Sequence, residues 1–188
     1  MQVIATHRNT DFDALASLIA ATLIFPKAIP VIPRSVNPNV RAFLSIHKDI
    51  FKVRTPDEID PDRITRLIVV DVNKWDRLGR MSLLKHRDEV EIFLWDHHPD
   101  KGDIRANQVC HEPMGANITL MIRELKKRRI RLSPIQATLF LTGLHEDTGN
   151  LMFPSTRPED VRAAAYLMEQ ERSEEHTSEL QSLLVISY

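Results

Sequence analysis

Apolar residues fall into short continuous runs that alternate with longer stretches of helical spacing. Gln2 to Thr6 reads as a short buried strand. From Asp13 to Phe25, Leu15, Leu18, Ile19, Thr22 and Leu23 share one stripe, which predicts a helix. Pro26 ends it. Ala28 to Ile32 is a second strand candidate, with Pro30 inside it. Asn37-Pro38 opens a helix that runs to about Ile46. Phe51-Lys52-Val53 reads as a brief strand, and Asp57 to Ile64 as a polar connection flanked by prolines. Arg66 to Asp71 is the clearest strand, continuously apolar as a strand covered on both faces should be. Met81 to His86 fits a short helix. Glu91 to Trp95 is another strand, and Gln108 to His111 an edge strand. Ala116 to Lys127 and Pro134 to Leu144 are amphipathic helices. Gly149 to Pro154 is a turn into a last helix, Pro158 to Gln170. Strands alternating with helices predict an α/β fold: a doubly wound, mostly parallel sheet with helices on both faces.

Composition narrows the class. The chain has 188 residues, 43% hydrophobic and 27% charged, ordinary for a globular protein. A net charge of -1 gives no long-range pull toward nucleic acid or membrane. No apolar run is long enough to span a bilayer, and Met1 leads straight into a strand pattern rather than a signal peptide. The single cysteine, Cys110, excludes an internal disulfide framework and reads as a small core residue. A cytoplasmic protein is the expectation.

The chemistry sits where apolar runs end. The stretch Thr6-His7-Arg8-Asn9-Thr10-Asp11-Phe12-Asp13-Ala14 puts one imidazole and two carboxylates at a strand-to-helix turn. Two carboxylates so close repel unless a cation sits beside them. Either could simply cap the helix, and on this stretch alone capping and metal binding both stay open. Two further strands end in Asp71 and in Asp96-His97-His98, and a helix-to-turn segment carries His145-Glu146-Asp147-Thr148-Gly149. In a parallel sheet the strand C-termini share one edge, so topology alone gathers these groups. Carboxylate and imidazole without thiolate suit Mn²⁺ or Mg²⁺. The cluster exceeds what one ion needs and fits two, bridged by a shared carboxylate. Such a pair makes hydroxide available at neutral pH and clamps the oxygens of a phosphoryl transfer. No Ser-His-Asp set or Walker-type glycine loop competes for the site.

The order H-x-x-x-D-x-D, a strand ending in Val-Asp, Asp-His-His, then Glu-Asp-Thr-Gly spans His7 to Gly149 and resembles the DHH family of phosphoesterases. That family includes RecJ-like nucleases, oligoribonucleases, cyclic-dinucleotide phosphodiesterases and manganese-dependent pyrophosphatases. Asp11 to Ser17 and Trp95 to Pro99 further resemble the N-terminal module of bacterial proteins that join a DHH domain to CBS domains and a tRNA nucleotidyltransferase or poly(A) polymerase domain. The resemblance implies two divalent ions, manganese foremost, with magnesium as the alternative. It implies His7 and Asp11 on the first ion, and Asp13, His97 and Asp147 on the second. Asp71 would bridge both. His98 would face the substrate phosphate, and Asp96 would hold an imidazole in its tautomer.

The implied reaction is hydrolysis of a phosphodiester or phosphoanhydride in a nucleotide, short oligonucleotide or polyphosphate-like substrate. A rival reading is a nucleotide-binding regulatory module of a tRNA nucleotidyltransferase or poly(A) polymerase, or an inactive fragment of either. The resemblance also implies continuation into DHHA1, CBS or nucleotidyltransferase domains, so the C-terminal lid of these enzymes would be missing here. Residues 1–171 would form the DHH domain. Arg172 to Ser182 resembles one translated frame of a sequencing-library adapter, so residues 172–188 are expected to be a non-native tail that packs poorly or not at all on the domain. His47, His86 and His111 read as ordinary surface or loop residues. The basic run Arg123 to Arg129 reads as a solvated helix end, and Trp75 and Trp95 as packing.

Overall fold

A computed structural model describes residues 1–171; the expected tail lies outside the described residues. Five strands, β1 (Gln2–Ala5), β2 (Ala28–Val31), β3 (Arg66–Val70), β4 (Glu91–Asp96) and β5 (Gln108–His111), form one sheet in the order β2-β1-β3-β4-β5. Every neighbouring pair is parallel. The chain goes from β1 outward to β2, then returns to place β3 on the other side of β1. That reversal opens a crevice at the carboxyl ends of β1 and β3. Pro30 is tolerated because β2 is an edge strand with no further strand to receive its missing N–H.

Five α-helices accompany the sheet: α1 (Phe12–Ile24), α2 (Pro38–His47), α3 (Asn117–Lys127), α4 (Pro134–Thr148) and α5 (Pro158–Glu171). Alternation along β3 divides the core. Ile68 and Val70 point into a layer with residues of α1, α2, α3, α4 and α5, whereas Leu67 and Val69 point into a layer with Ile64, Leu78, Met81 and Leu84. This second face is covered by 3₁₀ turns, Pro56–Glu58, Pro61–Arg63 and Trp75–His86, rather than by α-helices. Pro56 and Pro61 each open a 3₁₀ turn, and Gly79, at a positive φ of 56°, breaks the longest of these segments. The helix expected at Met81 to His86 is therefore the second half of a kinked 3₁₀ segment. The brief strand expected at Phe51 to Val53 reduces to a single bridge between Val31 and Arg54. Trp75 is buried in the second layer, and Trp95 packs edge-on against Phe25 at 5.6 Å, both as expected.

Helix α1 lies at the centre of the helical layer, and its small residues Ala14, Ala16, Ala20 and Ala21 are all fully buried. Helix α4 crosses its first turn so closely that a Cβ at Gly143 would sit 2.7 Å from the Phe12 carbonyl oxygen and 2.9 Å from Asp13 Cα. Neither is the end of a flexible side chain, so a substituent must push the helices apart. Gly143→Val is expected to cost about 1–3 kcal/mol of stability and to weaken metal binding, because α4 carries Asp147 opposite Asp13. A thermal melt alongside a Mn²⁺ titration checks both. Among the described residues no helix is long and apolar enough to cross a membrane.

Candidate metal centre

The loop after β1 is tied down on both sides. Thr6 Oγ1 donates to the Val70 carbonyl at 2.9 Å, and Thr10 Oγ1 to the His7 carbonyl at 2.8 Å. Asp11 is the N-cap of α1: its Oδ1 accepts from the Ala14 N–H at 3.0 Å, while Oδ2 lies 3.8 Å from His7 Nε2. Capping and site-building are therefore not exclusive for this residue. Asp13 is fully buried, and its carboxylate accepts from the N–H groups of Asn117 (2.6 Å) and Ile118 (2.8 Å) at the start of α3. That N-terminus is a favourable seat for a negative charge. Helix α4 runs one turn past its expected end at Leu144, which puts His145, Glu146 and Asp147 on the helix. Glu146 then caps α1 from outside, accepting from the Phe12 N–H at 2.6 Å, and Asp147 reaches the sheet edge.

Asp71 sits at the centre. It follows β3 in the left-handed region at φ 57°, an uncommon conformation that Asp and Asn tolerate better than other side-chain-bearing residues. Its Oδ2 lies 3.2 Å from His7 Nε2, and its Oδ1 lies 3.3 Å from His97 Nε2. His97 Nε2 is also 3.3 Å from Asp147 Oδ2 and 3.9 Å from Asp13 Oδ2. Each of these two histidines has its other ring nitrogen against a backbone carbonyl: His7 Nδ1 at 2.9 Å from Arg8 O, and His97 Nδ1 at 3.0 Å from Met114 O. A carbonyl oxygen only accepts, so Nδ1 carries the proton and Nε2 is left to face the carboxylates. This is how a metal-ligating histidine is oriented.

The structure brings together every residue expected to bind metal. Ligand atoms of His7, Asp11 and Asp71 lie within 4.8 Å of one another, as do those of Asp13, His97 and Asp147, and those of Asp71, His97 and His98. Among the described residues, the buried Asp71 Oδ1 and His97 Nε2 find no partner within hydrogen-bonding geometry, which points to a place built for something else. Electrostatics agree. Burial pushes the Asp13 carboxyl well above its usual value, and the neighbouring Asp71 and Asp147 push it further. Burial and Asp71 raise Asp11. Burial opposes the charged form of His97, yet the neighbouring carboxylates of Asp147, Asp71 and Asp13 outweigh it, and the group is pushed up to about 12. His7 is raised against its own burial by Asp71. Burial works against the Asp71 carboxylate, but His7 and His97 hold it well below the usual range. Four carboxylates thus converge on a pair of imidazoles, an excess of negative charge in a largely buried place. The donor set fits divalent ions of the Mn²⁺ or Mg²⁺ type.

The carboxyl end of β4 forms a further corner. Asp96 is fully buried, and its Oδ1 lies 2.7 Å from His98 Nδ1. His111, read from the sequence as an ordinary histidine, lies against this corner with Nε2 3.4 Å from Asp96 Oδ2. It arrives there because β5 pairs in parallel with β4 in a register that sets Asp96 beside His111.

Comparison with known proteins identifies what the chain is similar to. The pattern of the DHH family, N-terminal domain, matches residues 2–144. The chain is 39% identical over 171 residues to an A-adding tRNA nucleotidyltransferase from Geobacter sulfurreducens, covering 90% of this chain and 19% of that protein. It is 30% identical over 172 residues to a protein from Streptococcus equi subsp. equi described as "Probable manganese-dependent inorganic pyrophosphatase", covering 87% of this chain and 53% of that one. A solved structure of an exopolyphosphatase-related protein from Bacteroides fragilis superposes with a TM-score of 0.75 at 18% identity, covering 99% of this chain and 56% of that one. The chain therefore spans about a fifth of the nucleotidyltransferase and about half of the pyrophosphatase. With the sequence pattern, the parallel sheet and the acid–imidazole cluster all in agreement, the chain belongs to the DHH family.

Proposed function

We propose that residues 1–171 form a metal-dependent phosphoesterase domain that hydrolyses a phosphodiester or phosphoanhydride. One observation carries this reading: the two oxygens of Asp71 face two different histidines, each backed by its own acid, Asp11 on one side and Asp13 with Asp147 on the other. That arrangement supports two adjacent cation sites sharing one carboxylate. His7, Asp11 and Asp71 would hold the first ion, and Asp13, Asp71, His97 and Asp147 the second, with Mn²⁺ favoured and Mg²⁺ as the alternative. A bound pair would supply an activated water and clamp the oxygens of the transferred phosphoryl group. His98 stays off the ions because the ring nitrogen nearest Asp71 is engaged by Asp96. Its ring is 37% exposed and open to a substrate phosphate, which it would meet as hydrogen-bond donor or general acid.

The substrate is a small phosphate compound or a short nucleic acid. The pyrophosphatase relatives support the first and the nucleotidyltransferase relatives the second. The latter also support a second reading, in which the domain binds a nucleotide and governs a neighbouring nucleotidyltransferase domain. Turnover by the purified chain with Mn²⁺ decides between them, using pyrophosphate, polyphosphate, short oligonucleotides and cyclic dinucleotides. Release of phosphate or mononucleotide that stops on chelation is the expected result. Tight nucleotide binding with no hydrolysis of any of the four would support the regulatory reading instead. His98→Ala is expected to keep the full complement of bound Mn²⁺ while lowering kcat by about a hundredfold, within the range for loss of a general acid. Loss of bound metal in that variant would put His98 on the ions.

A further inference from the structure

Asp96 is surrounded by donors. Its Oδ2 accepts from Asn73 Nδ2 at 2.7 Å and lies 3.4 Å from His111 Nε2, while Oδ1 faces His98 Nδ1 at 2.7 Å. The surrounding contacts fix where the protons are. His111 Nε2 is 2.6 Å from the His98 carbonyl oxygen, which only accepts, so that nitrogen must carry hydrogen. Asn73 Nδ2 is an amide nitrogen and only donates; it also reaches the Asp100 carbonyl at 2.8 Å. With Oδ2 taken by these two side chains, Oδ1 is left to accept from His98, which then carries its proton on Nδ1. Asn73 itself cannot drift. Its carbonyl accepts from the Ile104 N–H at 3.1 Å, and Gly102 lies so close that a Cβ there would fall 1.8 Å from the same oxygen.

We propose that Asn73 and His111 are positioning residues: through Asp96 they fix His98 as the Nδ1–H tautomer and leave Nε2 as its working nitrogen. The inference rests on the reading of His98 as the residue that meets the substrate phosphate: with Nδ1–H held by Asp96, the imidazolium form carries its second hydrogen on Nε2 and donates from there. In the opposite tautomer His98 would turn a bare Nδ1 toward a carboxylate, and the ring would lose its anchor. His111 does two things at once: it holds the backbone of the residue it serves and helps orient the carboxylate that holds that residue's ring.

The test uses the full 188-residue chain, labelled with ¹⁵N at histidine and kept metal-free with chelator. Long-range ¹H–¹⁵N correlations read each tautomer directly at a pH above the ordinary imidazole range. The wild-type chain is expected to show His98 as Nδ1–H and His111 as Nε2–H. His111→Ala and Asn73→Ala are each expected to turn His98 into a mixture of tautomers. His111→Gln, whose amide can still donate to the His98 carbonyl, is expected to restore the single form. His98 protonated on Nε2 in the wild-type chain overturns the proposal without any variant having to fold. Survival of a pure Nδ1–H form in both alanine variants overturns it as well. The result does not depend on turnover. A chain that hydrolyses nothing but shows the expected tautomers sinks the catalytic reading alone; an active chain with the wrong tautomer sinks the brace alone.

Discussion

Asp71→Asn is expected to lower the affinity for Mn²⁺ by at least about a hundredfold, some 2.7 kcal/mol, and to abolish hydrolysis. Asp71 has an oxygen toward each histidine, so in the proposed two-ion arrangement it is the shared carboxylate. Removing its charge would then withdraw a full negative unit from each of two cations. At about 4 Å and an effective dielectric near 20, each such interaction is worth roughly 4 kcal/mol before desolvation, so even partial compensation leaves a large loss. Asn is the right probe because the backbone at this position is left-handed, at φ 57°. Asn enters that region about as readily as Asp, so the substitution isolates charge from strain, whereas Asp71→Val would confound the two. In the metal-free variant the His97 imidazolium also loses one of the partners that push it up to about 12, so its titration should move down. Calorimetric Mn²⁺ titration and histidine NMR check both parts. Full stoichiometry at unchanged affinity would mean that Asp71 is not the bridge.

The legible part of this site is the part that sits where an apolar run stops. His7, Asp71 and His97 each follow a strand whose pattern is unmistakable, and a parallel sheet brings strand ends to one edge without further information. What the sequence hides is pairing across elements. Residues 145–148 carry no apolar stripe to extend α4, so the pattern ends the helix at Leu144, and the cap that Glu146 places on α1 cannot be guessed. His111 looks like any histidine at a strand end until the parallel register sets it against Asp96. Asp11 invites a choice between cap and ligand that the geometry does not impose, since its two oxygens face different ways. The second cover of the sheet is similarly obscured. Gly79 marks a break in the chain's course, but not that 3₁₀ turns will bury Leu78, Met81 and Leu84.

Binding of Mn²⁺ is expected to release protons and to strengthen as pH rises. In the metal-free chain His97 is pushed up to about 12 and His7 lies above its usual value, so at neutral pH His97 holds a proton on the nitrogen an ion would need. Asp13 is raised as well and adds to the competition. Each proton displaced makes affinity climb about tenfold per pH unit, because ligands must be deprotonated to bind. The same shifts set the stability of the metal-free fold. His97 has a raised pKa, so its contribution is fully present below its ordinary value of 6.5 and is lost as pH climbs toward about 12. Asp71 has a lowered one, so its contribution is present above 3.8 and is lost only as strong acid protonates it. Between neutral and alkaline pH the metal-free chain should therefore weaken as the imidazolium proton leaves four converging carboxylates without a counter-ion. Mn²⁺ should take over that role, so the rise in melting temperature on adding it should grow with pH. Parallel melts with Mn²⁺ and with chelator across that range measure the difference, and calorimetry in buffers of different protonation enthalpy counts the protons. A constant Mn²⁺ effect with no proton release would show that protons do not occupy the place of the ions.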